Sequence, residues 1–283
     1  MGSNTPNFNL YKPTVGETGW GALVNTNFDT IDSNLQSVNL RSYLAGLGVT
    51  NNAGTPTTKF DIAVGQAQDA ASGGLMVLSS ALTKDISSAW VVGTNQGALG
   101  TGVTLTVGQT YHTFLIKRTD TGVVDAYVDT STSAAGIPPN YTLFRRIFSL
   151  LTLTTGATIR QFIQDGDFVQ YDPAVLSING TTATGATTRT LNAPTGINLT
   201  ALLNVYYSSS ADPNTWLASD LAITDAVPLA TVAPLGVSGT TANMTQIIVR
   251  TNTSAQFRDR CTEAGRTLRV AIIGYWDTRG QDA

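Results

Sequence analysis

From Lys59 onward the apolar residues of this chain recur at every second position, in short runs broken by turn residues. Lys59–Val64 alternates Phe60, Ile62 and Val64, and Val103–Val107 (VTLTV) does the same. Tyr111–Lys117 puts His112, Phe114 and Ile116 on one face and Tyr111, Thr113 and Leu115 on the other. A period of two marks strands that bury a face. In RTDTGVVDAYVD, Thr119-Asp120-Thr121-Gly122 supplies a hairpin turn, and Val124, Ala126 and Val128 alternate beyond it. Tyr141–Thr154 reads as a long strand with Arg145-Arg146 in its middle. Ile159–Ile163 and Asp167–Tyr171 pair around Asp165-Gly166, and Leu199–Tyr207, Gln246–Thr251 and Leu268–Trp276 continue the pattern. Strands come roughly every 8–14 residues with no helical pattern between them. The fold expected is mainly β, built of sandwich or jelly-roll-like units. Asp172-Pro173 marks a boundary between a β-sandwich domain over 40–172 and a C-terminal β domain with long loops over 173–283. The two could equally form one large sandwich. Asn179–Thr190 reads as loop or exposed strand, and Ala211–Asn243 as loop anchored by Trp216 and Leu217.

Before Asn39 the period is different. Val24, Phe28, Ile31, Leu35 and Val38 are spaced 4, 3, 4 and 3, the seam of a coiled coil, with Trp20 beside it. Thr14 and Glu17 stand as a capping box, so a helix from Val15 to Val38 is expected, about 36 Å long. Yet Gly16, Gly19, Gly21, Asn25, Asn27 and Asn34 fall in or beside it. Each helical Gly costs about 1 kcal/mol relative to Ala, and a lone helix of this composition should not persist in water. The prediction is an N-terminal α-helix held in a trimeric helical bundle, with Trp20, Val24, Phe28, Ile31, Leu35 and Val38 at the interface. The alternative is one amphipathic helix lying on its own β-domain.

Composition narrows the chemistry. Of 283 residues, 12% are charged, about half the usual share, and the net charge of −3 argues against a nucleic-acid partner. Cys261 is the one cysteine, which excludes an intrachain disulfide and a multi-Cys zinc site; a buried thiol is expected. No apolar run approaches the roughly 20 residues of a membrane span, so no membrane insertion is expected. The opening MGSNTPNFN does not read as a signal peptide. His112 is the single histidine, and its place among Phe114 and Ile116 predicts a structural imidazole. Asp165 and Asp167 read as a turn rather than a metal site or glycosidase pair. No phosphate loop, CxxC pair or HExxH occurs. No catalytic, cofactor or metal site is therefore predicted. Arg250, Arg258, Arg260, Arg266, Arg269 and Arg279 lie among acids and read as a salt-bridged surface. Tyr206, Tyr207 and Trp216, with Tyr275 and Trp276 nearby, are the candidate ligand contacts, since aromatic rings stack on sugar faces.

The segment NLYKPTVGETGWGALVNTNFDTID, Asn9 to Asp32, resembles the N-terminal segment of tail-fibre and minor structural proteins of tailed bacteriophages. The shared positions are Tyr11, Lys12, Pro13, Gly16, Gly19, Trp20, Gly21, Val24, Asn25, Asn27, Phe28, Asp29, Ile31 and Asp32. Tyr111–Leu150 and Ile159–Tyr171 are similar to blocks of the same proteins, and the ending GYWDTRGQDA resembles theirs. The resemblance implies a virion component in which residues 1–39 join other phage virion proteins and the β units project as a homotrimer. The chain lacks the long repetitive shaft of extended fibres, so the role expected is a short tail fibre or tail-tip adhesion component that contacts a host surface glycan or protein. The resemblance carries no catalytic residues, so no enzyme is expected. The alternatives are an architectural decoration or adaptor protein of head or tail, and a polysaccharide depolymerase.

Overall fold

The computed structural model describes residues 3–5, 10–37, 42–208, 215–228, 235–238 and 243–281. Val38 and parts of the expected loop over Ala211–Asn243 lie outside them. Within the described residues the fold is mainly β, with one helix, Trp20–Ser37. The helix is about 27 Å long and starts later than Val15. The cause lies in Gly16 and Gly19, whose φ angles of +83° and +77° are left-handed, a conformation glycine adopts without steric cost. Two of the three glycines thus shape the entry and only Gly21 burdens the helix. Glu17 does reach back to accept from the Thr14 N–H at 2.9 Å. That contact closes a turn, with the Glu17 N–H donating to the Thr14 carbonyl at 3.1 Å, ahead of the helix rather than at its cap.

Five sheets follow the alternation. The largest has seven strands, in the order Leu143–Leu151, Thr110–Lys117, Val124–Asp129, Gln96–Leu99, Leu82–Ala89, Lys59–Ile62 and Val49–Asn51. Gln96–Leu99 runs parallel to both neighbours; the remaining pairs are antiparallel. Leu44–Gly46, Gly65–Gln68 and Leu75–Leu78 form a three-stranded sheet. An antiparallel five-stranded sheet orders Phe162–Asp165, Phe168–Thr181, Thr267–Trp276, Thr200–Tyr207 and Asn243–Arg250. Thr187–Thr190, Gln256–Cys261, Thr215–Ser219 and Leu235–Ser238 make a four-stranded sheet, and Ser3–Asn4 pairs with Tyr11–Lys12.

The hairpin expected at Thr119–Gly122 is present, with Lys117 opposite Val124 and Gly122 at φ +74°. The strand expected at Val103–Val107 is absent. Two of its backbone groups bond to a side chain instead: the Tyr111 hydroxyl accepts from the Thr106 N–H at 2.7 Å and donates to the Thr104 carbonyl at 2.8 Å. Val103 and Leu105 still pack against the core. A polar group needs a partner, not a particular partner.

Phe168–Thr181 runs straight through the expected boundary at Asp172-Pro173, whose peptide bond is cis. Pro173 offers no N–H, and the ladder to Thr267–Trp276 shifts register between Gln170 and Val175. Buried apolar residues from Leu47 to Tyr275 form one cluster that spans the boundary. Tyr111 and Leu115 face this core, while Phe114 and Ile116 face a smaller one with Tyr127 and Tyr141. Thr110–Lys117 is therefore covered on both sides.

One inward position of Leu82–Ala89 is charged. Lys84 sits between buried Leu82 and Ile86 and is itself fully buried. Its ammonium meets Asp125 at 3.2 Å and donates to the carbonyls of Val91 and Gly93 at 2.8 and 3.2 Å. Asp125 accepts from the N–H groups of Gly93 and Ala126. Burial pushes the ammonium pKa down and the carboxyl pKa up, and each charge opposes the other's shift. The pair fixes the 90–93 loop to the sheet. Asp125→Ala, which strands the ammonium, should cost about 3–5 kcal/mol in urea unfolding, and Lys84→Met with Asp125→Leu should restore most of it. A loss under about 1 kcal/mol in the single variant would mean that the pair does not matter.

Candidate functional site

Three regions could carry function. The first is the helix. Its contacts run mainly to the arm before it: the Asn27 side chain accepts from the Tyr11 N–H and donates to the Tyr11 carbonyl, both at 2.6 Å. Tyr11 also donates its hydroxyl to Glu17. Beyond this flank the seam residues from Trp20 to Ile31 are exposed or half-buried. Trp20 is 51% exposed, Leu23 41%, Phe28 63% and Ile31 37%, and Val24 is half-buried. Leu35 lies in the same helix. Little local chemistry supports the helix. It has no acid in its first turn and no base in its last, and the hydroxyls of Thr26 and Thr30 bond back to the carbonyls of Ala22 and Thr26, which slightly weakens a helix. An apolar stripe of this kind contributes only when something covers it, at about 1.5–3 kcal/mol per large side chain.

The second region is a buried polar network. His112 lies opposite Ser149, with Nδ1 2.9 Å from the hydroxyl oxygen. Arg146 donates to that hydroxyl at 3.1 Å and makes a two-pronged bond with Asp277 at 2.6 and 2.7 Å. Asp277 also accepts from the Arg279 N–H at 2.9 Å. Arg279 in turn reaches Asp167 at 3.1 Å and the Gly46 carbonyl at 3.3 Å. A Ser–His contact raises the question of a nucleophile. Here the carboxylate is spent on Arg146, both Ser149 and His112 are buried, and a Cβ on Gly196 would stand only 2.9 Å from Nε2. Gly196 thus packs close against the imidazole, and the network acts as a clamp. Asp167 belongs to this clamp, while Asp165 is exposed at the turn.

The third is a groove of about 470 Å³ on the outer face of the five-stranded sheet. Cross-strand register builds its walls: Leu176, Ala271, Asn204 and Gln246 form one row, and Arg269 and Tyr206 stand opposite each other in the next. Of the three aromatic contacts expected, Tyr206 alone lines this groove. Tyr207 and Trp216 are fully buried and must be reassigned to the core. Their neighbours on alternating positions, Val205 and Ala218, point inward as well. Trp216 donates to Asp259 at 2.9 Å, and Asp259 pairs with Arg189 at 2.8 Å. Cys261 is buried beside the Tyr207 hydroxyl. Tyr275 is also core, and the Trp276 ring lies tilted against Phe168 at 4.6 Å between centroids.

The C-terminal arginines mostly meet acids. Arg250 pairs with Asp220, Arg258 and Arg260 with Asp225, Arg266 with Glu263 and Arg279 with Asp167. Arg269 is the exception among these six within the described residues; its Nη1 donates to the carbonyls of Gly180 and Leu268 at 3.3 and 3.1 Å. Sequence reasoning placed Arg269 with the others because neighbours in sequence do not reveal which strand face a side chain takes.

Among the described residues no helix is long and apolar enough to cross a membrane, and no three His, Cys, Asp or Glu side chains are grouped to hold a metal ion. No family model and no curated protein matches the chain. One solved structure is similar at 10% identity, the crystal structure of a Bacillus thuringiensis Cry1Da tryptic core variant, with a TM-score of 0.19 over 86% of this chain and 54% of that one. The chain thus spans about half the length of that structure, and so low a TM-score carries no argument.

The clamp has a pH signature. Burial, helped by the Arg146 charge, lowers the His112 pKa from 6.5 to about 4. The folded protein therefore keeps His112 neutral where the unfolded chain takes up a proton. Stability is full above about pH 6.5 and falls as pH drops towards 4, by about 3 kcal/mol from this group. His112→Gln should flatten that part of the urea-midpoint profile between pH 7 and 4. An unchanged slope in the variant would refute the assignment.

Proposed function

We propose that this chain is a non-enzymatic structural protein of a tailed-bacteriophage virion. In this reading it is a short tail fibre or tail-tip component that contacts the host surface. Three copies assemble through Trp20–Ser37, and residues 1–39 join the helical bundle to other virion proteins. The β-sheets serve as sandwich or jelly-roll-like units that project from it. The observation that carries the reading is the exposure of Trp20, Phe28 and Ile31 on a helix with little support of its own. A helix that packed on its own β units would have buried those side chains. The resemblance of Asn9–Asp32 to phage fibre and minor structural proteins supplies the setting. A head or tail adaptor would use the same seam, and binding of the purified protein to host cells separates the two roles.

Sedimentation equilibrium at micromolar concentration should give a trimer. Phe28→Asp with Ile31→Asp should give single subunits that lose helical signal and keep the β signal in circular dichroism. Wild-type subunits that stay single with an ordered helix would end this reading.

A further inference from the structure

The groove on the five-stranded sheet has a composition suited to one kind of ligand. Arg269 is half-buried, and two backbone carbonyls hold its Nη1 in place. No carboxylate among the described residues pairs with it, unlike the other five arginines of the C-terminal group. A guanidinium fixed in place, with no counter-charge among the described residues, is a ready site for an incoming carboxylate. The Tyr206 ring stands on the neighbouring strand directly opposite. One step along the same face lie Asn204 and, beyond it, Gln246. Neither side-chain amide, nor the Tyr206 hydroxyl, bonds to any described residue. The floor is small at Ala271, and Leu176 closes the far side. Four strands at about 4.8 Å spacing give a width of about 14 Å.

These groups discriminate among ligands. A single cation with no cluster of backbone N–H groups suits one acid at a time rather than a polyphosphate or nucleic acid. The groove lies on a sheet face where the backbone is already paired, so a peptide finds no ladder to extend. An aromatic ring flanked by Met244 on the next strand and beside two planar amides, in an open cleft, matches a ligand with an apolar face and many hydroxyls. We propose that this groove binds a carboxylate-bearing sugar, a uronic-acid unit of a surface polysaccharide. Arg269 takes the carboxylate, the Tyr206 ring meets the sugar face, and Asn204 and Gln246 bond the hydroxyls. The inference rests on the host-contact reading above and specifies what is contacted.

The test titrates the full chain, by calorimetry and by NMR, with a panel of uronate-containing oligosaccharides and the same oligosaccharides with carboxylates reduced to alcohols. The acid forms should bind at least tenfold more tightly. Arg269→Gln should erase that preference, Arg269→Lys should keep part of it, and Tyr206→Ala should weaken both forms. The side chains lie on an outer face, so the variants should melt like the parent. Equal affinity for acid and reduced forms, unchanged preference in Arg269→Gln, competition by inorganic phosphate at equal concentration, or no binding across the panel would each overturn the proposal. Adhesion to host cells is measured on the same samples. Cells bound equally by the parent and Arg269→Gln would leave the adhesion reading standing without the groove, whereas cells bound by neither would remove both.

Discussion

The fork between Arg146 and Asp277 joins parts of the chain that no strand pairing joins. Arg146 belongs to the seven-stranded sheet, and Asp277 follows directly on the last strand of the five-stranded sheet. Both side chains are largely withdrawn from water. Burial of that kind gives little net stability by itself, but removal of either partner leaves a charge with nowhere to go. The hydroxyl of Ser149 and the ring of His112 extend the fork into the core. One cluster of apolar residues then runs beneath both sheets. The fork specifies how the sheets meet, and the apolar cluster supplies the energy that holds them there.

The helix obeys a different economy. The β-sheets pack around an apolar core of their own, and the helix contributes no residue to it among the described ones. Its chief local anchor is polar, the Asn27–Tyr11 pair, which orients the arm without covering the seam. The exposed seam and the groove thus lie on separate parts of the chain, one an apolar stripe on a helix and the other a set of polar and apolar groups on a paired sheet.

Much of the architecture could be read from the residues. The hairpin at Thr119–Gly122 and the strand around Arg145-Arg146 follow from alternation and turn chemistry. What could not be read depended on side chains far apart in sequence. Val103–Val107 alternates like a strand, yet the Tyr111 hydroxyl captures its backbone. Gly16 and Gly19 look like defects in a helix and are instead the turns that precede it. Tyr206 and Tyr207 are adjacent aromatics with opposite fates, one in a groove and one in the core, because successive strand residues face opposite ways. Lys84 could have been noticed, since it occupies an inward position between Leu82 and Ile86; its partner Asp125 could not.

The bond from Arg279 to the Gly46 carbonyl spans 233 positions. A ribosome makes those ends far apart in time. The strand ending at Gly46 and the seven-stranded sheet leave the exit tunnel while the residues that lock them are still untranslated, and contacts of such separation form slowly. Until Asp277 emerges, Arg146 waits in a nascent interior without its counter-ion. The leading helix, its seam still uncovered, has by then long been outside.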